Sequence, residues 1–373
     1  MIDASRFSLL KEDVALLDRL LMGCALFLTF WGILCVYSAV AGVPGREWSF
    51  ALRQTGFLCL SLMVMFLILS IGHHWLLDSA YPIYALTLLI LLFTIFLAPR
   101  VKGAHSWIAI GGMRFQPSEF AKISLILMMS KFLGRYPPLT LRTFMAGLGV
   151  TMPAVLLVLL QPDAGSALVY LVISFGMLFA AGAPVRYFLA LGGAGVLMLP
   201  FLWMGMKEYQ RLRLLVFLDP MTDPLGAGYN VIQSRIAVGS GGFWGKGFMM
   251  GMQSKLRFLP EPHTDFIFSV SSEEFGFFGN LLLLGLFAIL FWRVISAGLR
   301  SRDRRCKLLT SGVAMWIWFQ MFESIGMSIG MMPVTGLPLP FLSYGGSSLL
   351  AIFMALGIVG SVCIEGAKRP YYF

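Results

Sequence analysis

Long apolar runs recur along almost the whole chain of 373 residues. Several exceed the roughly 18 apolar residues that predict a transmembrane helix. Hydrophobic residues form 58% of the sequence and charged residues only 12%, which excludes a soluble protein with a charged surface. The strand-length alternation of a membrane barrel is absent from the sequence. We therefore predict an all-α polytopic membrane protein.

The apolar runs predict about ten transmembrane helices in a single membrane domain that covers residues 1–373. The fifth and sixth spans are separated only by Gln161, Pro162 and Asp163, which predicts a tight hairpin. One long polar loop, residues 207–265, separates helices 7 and 8. The expected spans are 16–41, 52–72, 80–98, 117–133, 143–160, 164–182, 186–206, 266–293, 308–331 and 344–364.

The distribution of Lys and Arg predicts that both termini are cytoplasmic. In that orientation fifteen basic residues are cytoplasmic and five lie in the short opposite loops, as the positive-inside rule requires. The loop 207–265 is then extracytoplasmic, because long loops are translocated regardless of charge. The fifteen are Arg6, Lys11, Arg19, Lys131, Arg135, Arg142, Arg186, Arg293, Arg300, Arg302, Arg304, Arg305, Lys307, Lys368 and Arg369; the five are Arg46, Arg53, Arg100, Lys102 and Arg114.

Three further features of the sequence restrict the class of protein. The net charge of +10 does not indicate nucleic-acid binding, because the basic residues lie mostly between spans. The five cysteines have no paired metal spacing and are predicted to be free thiols. The N-terminus lacks the small-residue cleavage site of a signal peptide, so the first span is expected to be an uncleaved anchor.

The loop 207–265 is the longest polar segment of the chain and ends at Asp265, where the eighth span begins. Residues 229–239 predict a short amphipathic helix that can lie on the membrane surface. The glycine-rich run GSGGFWGKG that follows would let backbone amides and Lys246 approach an anion, although it does not match a P-loop. These features indicate a site for a phosphate-bearing, lipid-linked substrate at the outer membrane face.

Asp265 itself has two interpretations. It is placed to cap the N-terminus of the eighth span, which is an ordinary structural role for Asp. Alternatively, it takes a proton from a hydroxyl nucleophile while nearby cations stabilise a departing phosphate. The same loop supplies the companions that the second interpretation requires: His263, Arg211, Arg213, Arg235, Lys246, Lys255 and Arg257.

Charged residues inside the spans are costly unless they face protein or water, so they are also candidates. Glu119 and Lys122 are three residues apart on one helix and can pair, either as a structural ion pair or as a polar cavity lining. Asp163 is expected to cap the sixth span. We expect one of Glu273 and Glu274 to pair with a basic residue, and Glu323 to face protein.

The segment 332–348, MPVTGLPLPFLSYGGSS, contains three prolines and three glycines and cannot form a regular helix. Irregular backbone at membrane depth is tolerated where it is buried in protein or lines a cavity. We expect this segment to form the outer wall of the same cavity.

Six motifs, taken in order along the chain, resemble the SEDS family, which includes RodA, FtsW and SpoVE. The match covers about residues 37 to 360, and the forms LGAGYN, GKG and TGLPLP are most similar to RodA. The motifs are QPSEFAK (116–122), QPDAGSAL (161–168), YQRLR (209–213), FLDPMTDPLGAGYNVIQSRIAVGSGGFWGKG (217–247), FLPEPHTDFIF (258–268) and GLPLPFLSYGGSS (336–348).

The resemblance implies an inverting peptidoglycan glycosyltransferase that polymerises lipid II during cell elongation and cell-shape maintenance, releasing undecaprenyl pyrophosphate. Asp265 corresponds to the essential aspartate of the family and is the expected general base. The expected substrate-binding residues are Arg53, Glu119, Lys122, Asp163, Arg211, Arg213, Arg235, Lys246 and His263.

The expected partners are lipid II, a class B penicillin-binding transpeptidase, elongation-complex membrane proteins and membrane lipids, without nucleic acid. The expected location is the bacterial cytoplasmic (inner) membrane, with an extracytoplasmic active site. No cofactor is required by the motifs, and a divalent cation, Mg or Mn, stays open. Two alternatives also stay open: a lipid II flippase and a non-catalytic scaffold for the transpeptidase.

Overall fold

The computed structural model describes residues 16–41, 47–98, 106–110, 113–206 and 208–368. Within these ranges the chain is a sequence of long helices joined mostly by short loops. The elements are α1 (Arg19–Val40), α2 (Glu47–Ile71), α3 (His73–Asp78), α4 (Ala80–Leu97), β1 (Ile108–Ile110), β2 (Met113–Phe115), α5 (Pro117–Arg135), α6 (Leu141–Leu160), α7 (Ala164–Ala180), α8 (Val185–Gly205), α9 (Glu208–Leu218), a 3-10 turn (Pro220–Thr222), α10 (Ala227–Ser240), α11 (Met252–Lys255), α12 (Ile267–Arg300), α13 (Arg304–Ile329) and α14 (Gly346–Lys368).

Each of the ten predicted spans corresponds to one long helix, which confirms the all-α membrane architecture. Six of these helices are both long and apolar enough to cross a membrane: α1, α2, α4, α6, α12 and α14. Helices α7 and α8 have shorter apolar stretches, and α5 and α13 carry charged residues within their length. The largest error in the predicted bounds is in the eighth span, which extends to Arg300 rather than residue 293.

The helix termini carry local signals that fix their positions. The carboxylate of Asp18 accepts hydrogen bonds from the amides of Leu20 and Leu21 and so caps α1. Thr140 and Thr143 form a reciprocal capping box at the start of α6. Gly330 ends α13 in the left-handed conformation, with φ of 75°, which costs a glycine little.

Two short elements outside the loop 207–265 were not predicted, a β-hairpin and a short helix. Strands β1 and β2 form a short antiparallel hairpin that pairs Ile108 with Phe115, immediately before α5. Helix α3 is a short helix of six residues that connects α2 to α4. Both are too short to produce a hydrophobic period that differs from the surrounding loop.

The core lies where α13 packs against α5, α7 and α12, while α14 packs against α2. Trp316 of α13 is the largest fully buried side chain. The irregular segment between α13 and α14 is packed into this core, with Leu337, Leu339 and Leu342 buried. The prediction that this Pro/Gly segment is not a regular helix is therefore confirmed, and its role as the outer wall of a cavity stays a prediction.

The loop 207–265 is largely helical, because it contains α9, α10 and α11. The predicted helix over 229–239 is confirmed as α10, but it packs against α12 and α13 rather than lying only on a membrane surface. The hydroxyl of Ser234 lies 2.7 Å from that of Ser269 and donates to the carbonyl of Ser328 at 2.6 Å. Because other parts of the protein satisfy polar groups of α10, this helix does not have to lie at the water–lipid boundary.

The five cysteines are free thiols, as predicted. Part of the charge-based prediction of orientation lies outside the described residues: Arg6, Lys11, Arg46, Arg100, Lys102 and Arg369.

Candidate active site

Asp265 lies where the loop 207–265 meets α12. The N-cap position of α12 belongs to Phe266, one residue after the position that the helix-cap interpretation of Asp265 requires. A β-carbon added to Gly336 would lie 3.6 Å from Oδ2 of Asp265. Asp265 therefore faces the Pro/Gly segment that joins α13 to α14. Helices α12 and α13 separate the two in the sequence.

A second carboxylate, that of Glu323, belongs to the same site. Glu323 is fully buried in α13, interacts electrostatically with Asp265 and accepts a hydrogen bond from the hydroxyl of Thr335. Its second oxygen, Oε2, is buried with no hydrogen-bond partner among the described residues. The expectation that Glu323 faces protein is confirmed, but its association with Asp265 was missed.

Hydrogen bonds hold the residues before Asp265 against the Pro/Gly segment. The Ser343 hydroxyl donates to the carbonyl of Thr264 at 2.7 Å, and the Tyr344 amide donates to the carbonyl of His263 at 2.9 Å. The His263 ring packs edge-on against Phe50 of α2, with centroids 5.1 Å apart. These contacts position Asp265 by fixing the backbone on its N-terminal side.

Helix α2 is connected to the same segment by Gln54. Its buried amide donates to the carbonyl of Ser343 at 3.2 Å and accepts from the Gly345 amide at 3.3 Å. Arg53, the neighbouring residue in the sequence, is exposed on α2. The N-terminal half of α2 thus forms one side of the site, although Gln54 gave no signal in the sequence.

Asp163 caps α7, as predicted: its carboxylate accepts from the Ser166 amide at 3.0 Å and from the Ser166 hydroxyl at 2.8 Å. The hairpin also reaches the Pro/Gly segment, because a β-carbon on Gly165 would lie 3.3 Å from Thr335. Gln116, just before α5, contacts Asp163 at 3.5 Å. Asp163 therefore belongs to the wall that carries Glu323 and Thr335.

Glu119 and Lys122 form the predicted ion pair, with Nζ 2.6 Å from Oε1. Both side chains are at most 1% exposed, and Nζ of Lys122 lies 5.0 Å from the Trp316 ring centroid. The second oxygen of Glu119 is buried without a hydrogen-bond partner in the described ranges. The pair therefore lies in the core between α5 and α13.

Arg235 is a cation of the loop 207–265 that contacts the C-terminal end of α13, next to the Pro/Gly segment. It is exposed on α10, and its guanidinium donates to the carbonyl of Gly330 at 2.8 Å. A β-carbon on Gly330 would meet the Arg235 guanidinium, so the two residues are in close contact. Arg235 thus lies at the point where α13 ends and the segment begins.

Lys246 is engaged elsewhere. Its ammonium pairs with the buried Glu273 at 2.7 Å, which confirms that one of the two adjacent glutamates has a basic partner. The amides of Lys246 and Gly247 donate to the carbonyls of Glu273 and Glu274. These glycine-loop amides therefore complete the backbone of α12, and the expected anion cradle does not form there.

The remaining predicted cations lie on α9. The Arg211 guanidinium donates to the carbonyls of Trp203 and Met204 at 3.0 and 2.9 Å, which ties α9 to the end of α8. Arg213 is on the same helix, and its side chain lies outside the described residues.

The site can supply a base and oxygen ligands. Asp265 can accept a proton, and Asp265 with Glu323 offers the carboxylate oxygens that Mg²⁺ and Mn²⁺ prefer. The orphaned Oε2 of Glu323 fits such a cation. Gln54 was missing from the sequence prediction. Glu323 was predicted only to face protein, and Thr335 and Gly336 were predicted only as part of the Pro/Gly segment.

The chain is similar to known proteins over nearly its full length. It matches the family described as Cell cycle protein, the FtsW, RodA and SpoVE family, over residues 18–367. It is 39% identical over 337 residues to peptidoglycan glycosyltransferase MrdB of Escherichia coli (strain K12), covering 88% of this chain and 90% of that protein.

Two solved structures are also similar. One is a chain from work described as structural coordination of polymerization and crosslinking by a peptidoglycan synthase complex, with a TM-score of 0.82, 34% identity, and coverage of 95% of this chain and 99% of that one. The other is the rod shape determining protein RodA of Thermus thermophilus, with a TM-score of 0.71, 32% identity, and coverage of 95% and 98%.

Proposed function

The chain belongs to the FtsW, RodA and SpoVE family, and on that premise we propose that it joins lipid II units into glycan strands during cell elongation. It is a multi-pass membrane protein, and its relatives are named as peptidoglycan glycosyltransferases. Glycosyl transfer in peptidoglycan synthesis is therefore its activity, ahead of the flippase and scaffold alternatives.

The proposed chemistry begins at Asp265. Its carboxylate takes the proton from the 4-hydroxyl of the acceptor N-acetylglucosamine as that oxygen forms a bond to the anomeric carbon of the donor N-acetylmuramic acid. The bond from that carbon to the pyrophosphate breaks, and undecaprenyl pyrophosphate leaves with the electron pair. The configuration inverts, and a single carboxylate suffices because pyrophosphate leaves without a proton.

The observation that carries this assignment is the position of Asp265 relative to the Pro/Gly segment. Its carboxylate faces Gly336 and interacts electrostatically with Glu323, and neighbouring backbone bonds fix its approach. Two buried or half-buried carboxylates held together by a glycine-containing segment are costly for stability alone. A functional role accounts for that cost.

We propose that cations of the outer loop and of α2 stabilise the departing pyrophosphate. We rank these cations by how close their contacts lie to the Pro/Gly segment. Arg235 contacts the start of the Pro/Gly segment, and Arg53 follows from its position beside Gln54. Arg211 and Lys246 would have to leave their present partners to join them. Arg213 stays a candidate because it lies on the same helix as Arg211. Glu119, Lys122, Asp163 and His263 would support the cavity rather than contact the reacting atoms.

We further propose that the chain works with a class B penicillin-binding transpeptidase and other elongation-complex membrane proteins. One similar structure comes from a peptidoglycan synthase complex that combines polymerization with crosslinking. The proposed orientation has both termini in the cytoplasm and Asp265 on the extracytoplasmic side, where lipid II and the transpeptidase would meet it.

The test is polymerisation of purified lipid II by wild type, Asp265→Asn and Asp219→Asn, each alone and with the transpeptidase. Asp219 is an exposed loop carboxylate that caps the 3-10 turn, so it controls for loss of charge in the same loop. We expect Asp265→Asn to slow polymerisation at least about 100-fold, in the range of general-base removal, and Asp219→Asn to change it little. A folded Asp265→Asn protein with the wild-type rate would overturn the assignment.

A further inference from the structure

Two histidines and a glutamate converge at the end of the molecule opposite to Asp265. His73 and His74 begin α3, and Glu365 lies in the last turns of α14. Helix α14 begins beside the Pro/Gly segment at Gly346, and at 1.5 Å per residue Glu365 is about 28 Å further along the helix. This cluster is therefore separate from the proposed glycosyltransferase site.

The three side chains place their ligand atoms close together. Nε2 of His73 and Nε2 of His74 lie 2.9 and 2.8 Å from the same oxygen of Glu365, Oε2. One ligand atom from each residue lies within 4.8 Å of the others. Two imidazoles and one carboxylate form a common ligand set for Zn²⁺.

The His73 side chain is buried and oriented by a neighbouring residue, as is typical of a metal ligand. Its side chain is 3% exposed, and Nδ1 lies 2.9 Å from the Ser361 hydroxyl, which orients the ring from α14. Nε2 of His73 is buried and, although close to Glu365, lacks a partner in hydrogen-bonding geometry among the described residues. A bound metal ion would give Nε2 of His73 the partner that it lacks among the described residues.

The other side of the cluster is open to solvent. The His74 side chain is 54% exposed and that of Glu365 is 34% exposed, so an ion can enter from water. Asp303 interacts electrostatically with the histidines, while Arg305 pairs with Asp303 at 2.9 Å.

We propose that His73, His74 and Glu365 bind one Zn²⁺, which fastens the connection between α2 and α4 to the C-terminal end of α14. In a tetrahedral site with ligand bonds of about 2.0–2.1 Å, neighbouring ligand atoms are about 3.3 Å apart. The atoms around Glu365 would therefore separate by about half an ångström, which side-chain rotation can supply. A water molecule would complete the coordination.

The experiment uses the full chain in detergent, purified without a polyhistidine tag and freed of metal by chelation. Zn²⁺ is titrated in competition with a chromophoric chelator against wild type, His74→Ala, Glu365→Gln and Asp78→Asn. Asp78 is a matched control, because it is an exposed carboxylate on the same short helix outside the cluster. Co²⁺ serves as a second probe, since its visible spectrum reports imidazole ligation and coordination geometry.

We expect wild type and Asp78→Asn to bind one Zn²⁺ with equal affinity, and the other two variants to bind it at least tenfold more weakly. Zn²⁺ should raise the unfolding temperature of wild type and Asp78→Asn only. Equal affinities in all four proteins, or no zinc-dependent stabilisation of wild type, would overturn the proposal. His74→Ala changes an exposed side chain, so the test survives even where Glu365→Gln misfolds.

Discussion

Single side chains in this protein are constrained most strongly where a charge is buried, and Glu119 with Lys122 is the clearest case. Removing one partner leaves an uncompensated charge in the core, at a cost of about 3–5 kcal/mol. We therefore expect Glu119→Gln and Lys122→Met each to lower the unfolding temperature strongly in detergent. The double variant should recover most of that loss, because it removes both charges together.

The control for this cycle is the exposed pair of Arg305 and Asp78, whose closest atoms are 3.4 Å apart. A pair at the surface contributes about 0–1 kcal/mol, so Asp78→Asn should hardly change the unfolding temperature. If the single core variants were as stable as the double variant, the pair would not be the buried ion pair that the structure describes.

Side chains whose partners are near in sequence could be predicted, and those with distant partners could not. Glu119 with Lys122 and Asp163 with Ser166 each lie three residues apart, so helix geometry alone brings them together. Lys246 pairs with Glu273 and Asp265 faces Glu323, and these contacts depend on how the helices pack. Lys246 was predicted to bind phosphate because the sequence does not reveal that it pairs with Glu273.

Among the helices, α12 shows how an interruption is stabilised. Gly276 has φ of 65° inside this helix, and the chain kinks there. The glycine-rich loop fits against the kink, where the Phe277 and Phe278 amides donate to the carbonyls of Gly242 and Phe243. Backbone groups freed by a break at membrane depth need such partners. The sequence showed the glycine-rich run but not that this run completes the backbone of α12 at Gly276.

Gly276 is therefore expected to tolerate no side chain. A β-carbon there would collide with the backbone of Gly245, and the positive φ is unfavourable for any other residue. We expect Gly276→Ala to reduce the yield of folded protein and to lower its unfolding temperature. Gly285→Ala in the same helix is the control, since a β-carbon there meets nothing within 4 Å. Equal stability of the two variants would contradict the described fit between loop and helix.

Across the whole molecule, the two ends of the helix bundle have different chemistry. One end carries Asp265, Arg235 and the Pro/Gly segment, and the other carries His73, Glu365 and the basic connection from α12 to α13. The ten helices were predictable because apolar length alone identifies them. The site was predictable only as a region, because the contacts of Gln54 with Ser343 and of Asp265 with Gly336 join segments far apart in sequence.

The excess of Lys and Arg at the second end predicts that it faces the cytoplasm. We expect a membrane-impermeant maleimide to label Lys255→Cys in intact spheroplasts, and Arg302→Cys only after permeabilisation, because both positions are exposed on opposite ends. Wild type is the control: Cys24, Cys35 and Cys306 are buried, and Cys59 is exposed within the apolar helix α2, beyond the reach of a polar reagent. The reverse labelling pattern would place Asp265 in the cytoplasm, away from the extracytoplasmic lipid II that the proposed reaction requires.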